Sequence, residues 1–546
     1  MNGAQLLVAA LVNEGVDRIF GLPGEENLVF LEALRTSPIE LVLTRHEQAA
    51  GFMAATYGRL TGRPGVCLST LGPGATNLVT SVAHALLGGM PSLFITGQKP
   101  IKKSKQGRFQ IIDVVGMLRP VTKMTRQIVG AASIPALVRE ACRVAVQEKP
   151  GPVHLELPED IAAEEAEAAL FLRTPEAHPQ AAQGAIEQAA QVLAAARNPL
   201  LLIAAAAKRP GMREALTACI DRTGLHFFST QMGKGGVDEY HPLCLGTAAL
   251  SEHDYLHCAI DHADVIVNVG HDIVEKPPFH MRRPGPVVIH LHSLPAAIDE
   301  VYFPQYEVVG EPADSLRRLS LLLNPGSLGG DGYFQRMRRE LEEHVYAVTA
   351  RPGLPPTPQQ VVAVCRDVLP DKSILTLDNG MYKIWFARNY KARHANSVLL
   401  DNALATMGAG LPMAIAAKIL EPQRPVVAVC GDGGFLMNSQ EMETAVRLGL
   451  DLTVVVLRDN GFGMIRWKQD GMGLPHYGLE FGNPDFVAYA ASYGAIGLRA
   501  GSTEDFALLL ARCLQTPGVK LIELPVDYSE NERVLIEELR RKTCIL

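Results

Sequence analysis

The sequence predicts an α/β protein built from three doubly wound parallel-sheet domains. Short apolar, β-branched runs alternate with helical patterns from end to end, the mark of parallel strands covered by helices on both faces. The 546 residues exceed what one hydrophobic core usually organises. Two seams break the alternation: an Ala/Glu/Pro-rich stretch over 161–183, and a second from 324 through the proline-rich 351–358. The expected domains are therefore 1–165, 185–330 and 355–530, with a C-terminal tail over 531–546.

Taken in order, the opening MNGAQLLVAALVNEGVDRIF reads as an amphipathic helix. It lacks a basic leader and carries Asn13, Glu14 and Asp17, so a signal peptide is not expected. Strands are expected at 39–43, 65–69 and 92–96, then at 200–203, 265–269 and 287–291. In the last third, PVVAVC (425–430) reads as a buried strand and LTVVVL (452–457) as the next. The helix between them, MNSQEMETAVRLGL, is expected to be capped by Asn438 with Glu441 three residues later.

Charge and composition narrow the function. A formal net charge of -7, with acids and bases interspersed, offers no footprint for nucleic acid or anionic lipid. The densest basic run, KPIKKSKQGR from Lys99 to Arg108, reads as solvated surface. No apolar run is long enough to span a bilayer. Nine cysteines stand singly, with no CxxC, so neither a disulfide framework nor a zinc site is indicated. A cytoplasmic protein acting on small molecules is expected.

The strongest chemical signal follows the 425–430 strand, which runs into Gly431-Asp432-Gly433-Gly434. The unit places Asp432 and Asp459 at the carboxyl ends of two strands, where open α/β sheets bind ligands. Glycines beside Asp432 let backbone N–H groups approach a diphosphate. Two carboxylates facing a diphosphate repel it, and a hard divalent cation such as Mg²⁺ removes the conflict.

The turn Asp459-Asn460-Gly461-Phe462-Gly463-Met464, coming after GDG, a helix and a strand, resembles the signature of thiamine diphosphate enzymes. That resemblance implies Mg²⁺ held by Asp432, Asp459 and the Gly461 carbonyl, with Gly431, Gly433, Gly434, Phe462 and Met464 around the cofactor. Most of the family has asparagine where this chain has Asp459; aspartate is found in acetolactate synthases of the catabolic type.

In the first third, RHEQAAGFMAATYGRLTG is similar to the family segment whose glutamate, here Glu47, contacts N1′ of the aminopyrimidine. A carboxyl group in an apolar site has a raised pKa and can share its proton with a ring nitrogen. The loop STLGPGATNL resembles the family's pyrimidine-side loop and implies cofactor contacts by Gly72, Pro73 and Asn77. The segment TMGAGLP, with Ala405 just before it, resembles the one whose bulky residue, here Met407, props the cofactor in its bent shape. Phe109-Gln110 and the GMIRW turn, with Met464 and Trp467, resemble the acetolactate synthase substrate pocket, and Gln110 takes a catalytic positioning role. Gly24 and Glu25, in GLPGEEN, sit where the family's loop approaches cofactor and substrate. DNGMY, at 378–382, lies where relatives hold the diphosphate, and Met381 departs from the polar residues usual there.

The resemblance runs over nearly the whole chain. It implies pyrimidine-binding, central and diphosphate-binding domains, and a homodimer or homotetramer with active sites at the subunit interface. The flavin-containing enzymes carry a substrate-binding arginine in the central domain; this chain has VGHDIVEKPP at 269–278 instead, and no GxGxxG follows a strand there, so FAD is not expected. The reaction implied is decarboxylation of a 2-oxo acid, pyruvate foremost, and carboligation to a second carbonyl. The alternatives are a 2-oxo acid decarboxylase, an aldehyde carboligase, a 2-hydroxyacyl-CoA lyase, or a binding protein that has lost catalysis.

Overall fold

The computed structural model describes residues 1–102, 107–174, 177–275, 281, 284–348, 355–542 and 544–545. They form three six-stranded sheets, every pairing parallel. The first comprises β1 (Arg18–Gly21), β2 (Glu40–Leu43), β3 (Gly65–Ser69), β4 (Ser92–Gln98), β5 (Met124–Gln127) and β6 (Pro152–Pro158), in the order β2-β1-β3-β4-β6-β5. The second comprises β7 (Pro199–Ile203), β8 (His226–Thr230), β9 (Cys244–Ala248), β10 (Val265–Val269), β11 (Val287–His292) and β12 (Tyr306–Val309), in the order β12-β11-β10-β7-β8-β9. The third comprises β13 (Ile374–Leu377), β14 (Val398–Leu399), β15 (Val426–Gly431), β16 (Leu452–Arg458), β17 (Ile496–Arg499) and β18 (Val519–Pro525), in the order β14-β13-β15-β16-β18-β17. Central strands such as β3, β7 and β10 are buried at every residue, as runs without polar alternation must be. The fold class expected from the sequence is the one observed.

In each sheet the chain winds outward from a point where the strand order reverses. That point lies between β1 and β3 in the first sheet, between β7 and β10 in the second and between β13 and β15 in the third. Crevices for ligands open at the carboxyl ends of such strand pairs.

The chain forms two compact units. One holds residues 1–177 with segments 404–422 and 436–450. Its spine is helix Glu47–Thr61, buried along most of its length and packed against helix Gly410–Leu420. On another side glycine lets the helix approach the residue before β4: a Cβ on Gly58 would lie 1.9 Å from the Pro91 carbonyl oxygen. The opening helix, Gly3–Asn13, is capped by Asn2 and Gln5 reciprocally.

The other unit holds residues 178–403, 423–435 and 451–546, with the second and third sheets. A fully buried, two-pronged ion pair joins Arg388 to Asp254 at 2.8 and 2.9 Å. The segment expected as a seam carries helix Tyr333–Leu341, whose Phe334, Met337 and Leu341 enter the central core. The tail folds back on the same core through Leu539, and the Tyr333 hydroxyl donates to the Cys544 carbonyl at 2.8 Å.

Three local expectations are corrected. Asn438 does not cap a helix: helix Asp432–Asn438 starts at the strand end, and helix Glu441–Arg447 begins without a side-chain cap because Asn438 donates elsewhere. The basic run is not wholly solvated, since Lys99 is 4% exposed and ion-paired at 2.6 Å with buried Glu26; 103–106 lie outside the described residues. Cys258 and Cys544 form a disulfide, a pairing hidden by a sequence separation of 286. Among the described residues, no helix is long and apolar enough to cross a membrane.

Candidate active site

At the reversal point of the first sheet, two loops meet. A Cβ on Gly24 would lie 2.3 Å from that of Thr70, so only glycine lets the loop after β1 lie against the loop after β3. Glu47, the first residue of its helix, points to the second loop: its Oε2 accepts a hydrogen bond from Asn77 Nδ2 at 2.9 Å, and its Oε1 lies 3.2 Å from where a Gly74 Cβ would stand. His46 caps the helix, its Nδ1 accepting from the Gln48 N–H. Pro73 opens the short helix Pro73–Asn77, and Gly72 before it has φ +50°. Its Cβ would stand 3.0 Å from the Gln110 carbonyl, so the structure brings Gln110 to the same loop. Gln110 itself sits at φ +58°, a sparsely populated conformation for a residue with a side chain, and it and Phe109 are exposed.

Glu25 is exposed and its neighbour Glu26 is the buried carboxylate, bonded to Lys99 and, at 2.5 Å, to the Thr70 hydroxyl. These contacts hold the Gly24 loop. Glu26, and not Glu25, carries the buried contacts of this loop, and its lysine partner lies in a run that reads as surface in the sequence.

Ala405 and Gly408 both have positive φ, +56° and +84°, which turns the chain sharply around half-buried Met407. Asn438 braces this turn, donating to the Gly408 carbonyl at 2.7 Å and to Gln48 Oε1 at 2.9 Å. Glu441 accepts the Arg45 N–H at 3.0 Å, and burial pushes its carboxyl up to about 7. Neither bracing role was visible in the sequence, because Gln48 and Arg45 lie hundreds of residues from Asn438 and Glu441.

The second constellation lies at the carboxyl ends of β15 and β16. Asp432 Oδ1 accepts the Gly433 N–H at 2.8 Å, and Oδ2 accepts both the Asn460 N–H and Asn483 Nδ2, each at 2.8 Å. Asp459 is different: its Oδ2 is buried and has no hydrogen-bond partner among the described residues. Burial, and then the charge of Asp432, raise its carboxyl to about 7. A Cβ on Gly463 would come within 2.8 Å of that oxygen, and one on Gly434 within 2.6 Å of Asp378 Oδ2, so glycine keeps both approaches open. An orphaned carboxylate oxygen beside a second carboxylate is the deficit a hard divalent cation fills. The donor set therefore fits the expected metal.

Gly431 is partly spent, because its N–H donates to the Tyr382 hydroxyl at 2.9 Å. Met381 and Tyr382 are both 2% exposed and belong to the third domain's core. Gly461 pairs antiparallel with Glu480, and the rings of Phe462 and Phe481 lie 5.0 Å apart. Met464 and Trp467, on helix Gly463–Gly471, pack half-buried against the third core. Trp467 also lines a cavity of about 710 Å³ with Asp459, Arg466 and Tyr528.

At the central reversal point, His271 and Glu275 are buried, and Glu275 accepts from the Ala205 N–H at 3.1 Å and the Thr230 hydroxyl at 2.5 Å. Residues 276–278 of the departing segment lie outside the described residues.

Three family descriptions match the chain in order. Residues 1–117 match "Thiamine pyrophosphate enzyme, N-terminal TPP binding domain", 186–319 the central domain of the same enzymes, and 378–524 their C-terminal TPP binding domain. The chain is 33% identical over 542 residues to "Acetolactate synthase, catabolic" of Raoultella terrigena, covering 97% of this chain and 96% of that one. It is 30% identical over 552 residues to "Acetolactate synthase" of Bacillus subtilis (99% and 96% covered) and 31% over 539 residues to "Acetolactate synthase isozyme 2 large subunit" of Escherichia coli (97% and 96%). With all three domains present and the likeness spanning both chains almost entirely, this protein belongs to the acetolactate synthase family of thiamine pyrophosphate enzymes.

Proposed function

We infer that the chain decarboxylates a 2-oxo acid, pyruvate foremost, and ligates the remaining fragment to a second carbonyl, using thiamine diphosphate and Mg²⁺. The observation that carries this reading is the Glu47 carboxylate, held by Asn77 against the glycine loop 72–74 at a sheet's reversal point. When bound, thiamine diphosphate supplies a thiazolium carbon that adds to the 2-oxo carbonyl and takes up the electron pair left by CO₂. Glu47 holds or releases a proton at N1′ of the aminopyrimidine, and Asn77 fixes the carboxylate that does so. Gly72, Pro73, Ala405 and Met407 shape the pyrimidine side. Asp432, Asp459 and the Gly461 carbonyl hold Mg²⁺, with Gly433, Gly434, Phe462 and Met464 around the diphosphate.

Gly24, Phe109, Gln110 and Trp467 border the acceptor. FAD takes no part in this reading, and the working form is a cytoplasmic homodimer or homotetramer.

One observation favours a second reading. His271 stands in the segment where flavin-containing relatives keep an arginine, and burial lowers its pKa to about 4, so at neutral pH it carries no charge to hold an acceptor's carboxylate. An uncharged aldehyde acceptor, or none, follows if no other cation serves. Turnover of pyruvate with both cofactors supplied and FAD omitted, following CO₂ and acetolactate together, separates the two. Acetolactate supports the synthase, and CO₂ without it supports the decarboxylase or aldehyde-ligating reading. Absence of both products overturns the pyruvate assignment.

A further inference from the structure

Between the metal turn and the next helix, the chain makes a loop with a closed neck. Residues 463–478, which include helix Gly463–Gly471, leave and return through two antiparallel backbone bonds: the Phe462 N–H donates to the Leu479 carbonyl at 3.1 Å, and the Phe481 N–H to the Asn460 carbonyl at 3.3 Å. Two residues on, Asn483 reaches across the neck. Its Nδ2 donates to Asp432 Oδ2 at 2.8 Å and to Asn460 Oδ1 at 2.9 Å. Both partners are acceptors, which fixes the amide's orientation and leaves Asn483 Oδ1 buried without a donor among the described residues.

We propose that Asn483 is a positioning residue for the metal centre, setting which oxygen of Asp432 remains for the cation and clasping the loop that carries Met464 and Trp467. This rests on the Mg²⁺ reading given above. A carboxylate oxygen offers about two lone-pair directions. On Asp432 Oδ2 the Asn460 N–H and Asn483 Nδ2 take both, whereas Oδ1 has given up only one, to the Gly433 N–H. Without Asn483 the carboxylate can turn, and the Asn460 turn, held at φ +55°, loses a brace on its side chain. Residues that orient a metal ligand without touching the metal commonly change affinity by about 10- to 100-fold when replaced.

The test is Mg²⁺ titration of the full-length protein at fixed, saturating thiamine diphosphate, comparing wild type with Asn483→Ala. The readouts are cofactor retained on ultrafiltration and tryptophan emission. The chain has two tryptophans: Trp385, fully buried with its indole N–H on Asn531, and Trp467 inside the clasped loop. The variant is expected to need about tenfold more Mg²⁺ for half-retention, with an altered Trp467 signal, and to recover cofactor retention and turnover at high Mg²⁺. Should Asn483→Ala not fold, Asn483→Gln, which keeps the donor on a longer arm, is titrated instead and must shift in the same direction. An unchanged Mg²⁺ requirement in a folded variant, or a loss that high Mg²⁺ does not restore, overturns the clasp while leaving the cofactor reading intact. A wild type that retains no cofactor with Mg²⁺ overturns both.

Discussion

The first and third sheets are the same object twice: six parallel strands in the same relative order, reversing at the same place. Their crevices hold opposite chemistry. One presents the carboxylate of Glu47, whose oxygen already receives a hydrogen bond from Asn77. The other presents two carboxylates: Asp432, which accepts three hydrogen bonds, two of them on Oδ2, and Asp459, whose Oδ2 is orphaned among the described residues. The scaffold thus decides where a ligand can sit, and the residues just past the strand ends decide which end of it can sit there. The central sheet sharpens the point: its order, reversed, is that of dinucleotide-binding folds, yet its crevice residues His271 and Glu275 are buried, with Glu275 accepting from the Ala205 N–H.

Breaking each crevice should give different failures. Asp432→Ala should abolish turnover by emptying the site, with Mg²⁺-dependent cofactor retention weakened about 100-fold or more in calorimetry. Glu47→Gln should lower turnover by about 100-fold or more while retention stays near wild type, since only proton transfer is lost. Unchanged turnover in Glu47→Gln would sink the mechanism. Mixing these two inactive variants tests the shared-interface reading: heterodimers rebuild one intact site in two, so roughly a quarter of wild-type turnover should return on subunit exchange.

A finer test compares the two carboxylates of the third crevice. Burial and the charge of Asp432 raise the Asp459 pKa to about 7, and in the Mg²⁺ reading proposed above the cation needs it ionised. Wild-type Mg²⁺ affinity should therefore be full above that pH and fall by about tenfold per unit below it. Asp459→Asn, which does not titrate, should flatten that profile between pH 5.5 and 8, as read by calorimetry at each pH. The smallest effect belongs to the acceptor side: Gln110→Ala should raise the KM for pyruvate by roughly tenfold and leave cofactor retention untouched.

Much of this was readable in the sequence because it is local. β3 and β10 lie at the residues their β-branched runs indicate, and Glu47, Asp432 and Asp459 each stand at the end of such a run with glycine or turn residues beside them. What escaped is what holds those residues. Asn438 acts on Gln48 across 390 residues, Asn483 on Asp432 across 51, and Lys99 on Glu26 from within an apparently solvated run. Hydrophobic period and motif spacing carry no record of such pairings, since a bracing asparagine or a buried lysine looks the same in sequence as a surface one. The Asn438 cap failed for that reason: the residue type was right for a helix start, and a distant carbonyl claimed its amide.

The asymmetry between Asp432 and Asp459 also bears on time. Asp432 is held by three N–H donors that the chain itself supplies. In the Mg²⁺ reading proposed above, a carboxylate so oriented leaves capture paced by how fast Mg²⁺ sheds its tightly held inner water, a property of the ion that the protein hardly alters. Variation in affinity among variants of this crevice should appear in the residence time of the ion, and its arrival rate should stay nearly constant.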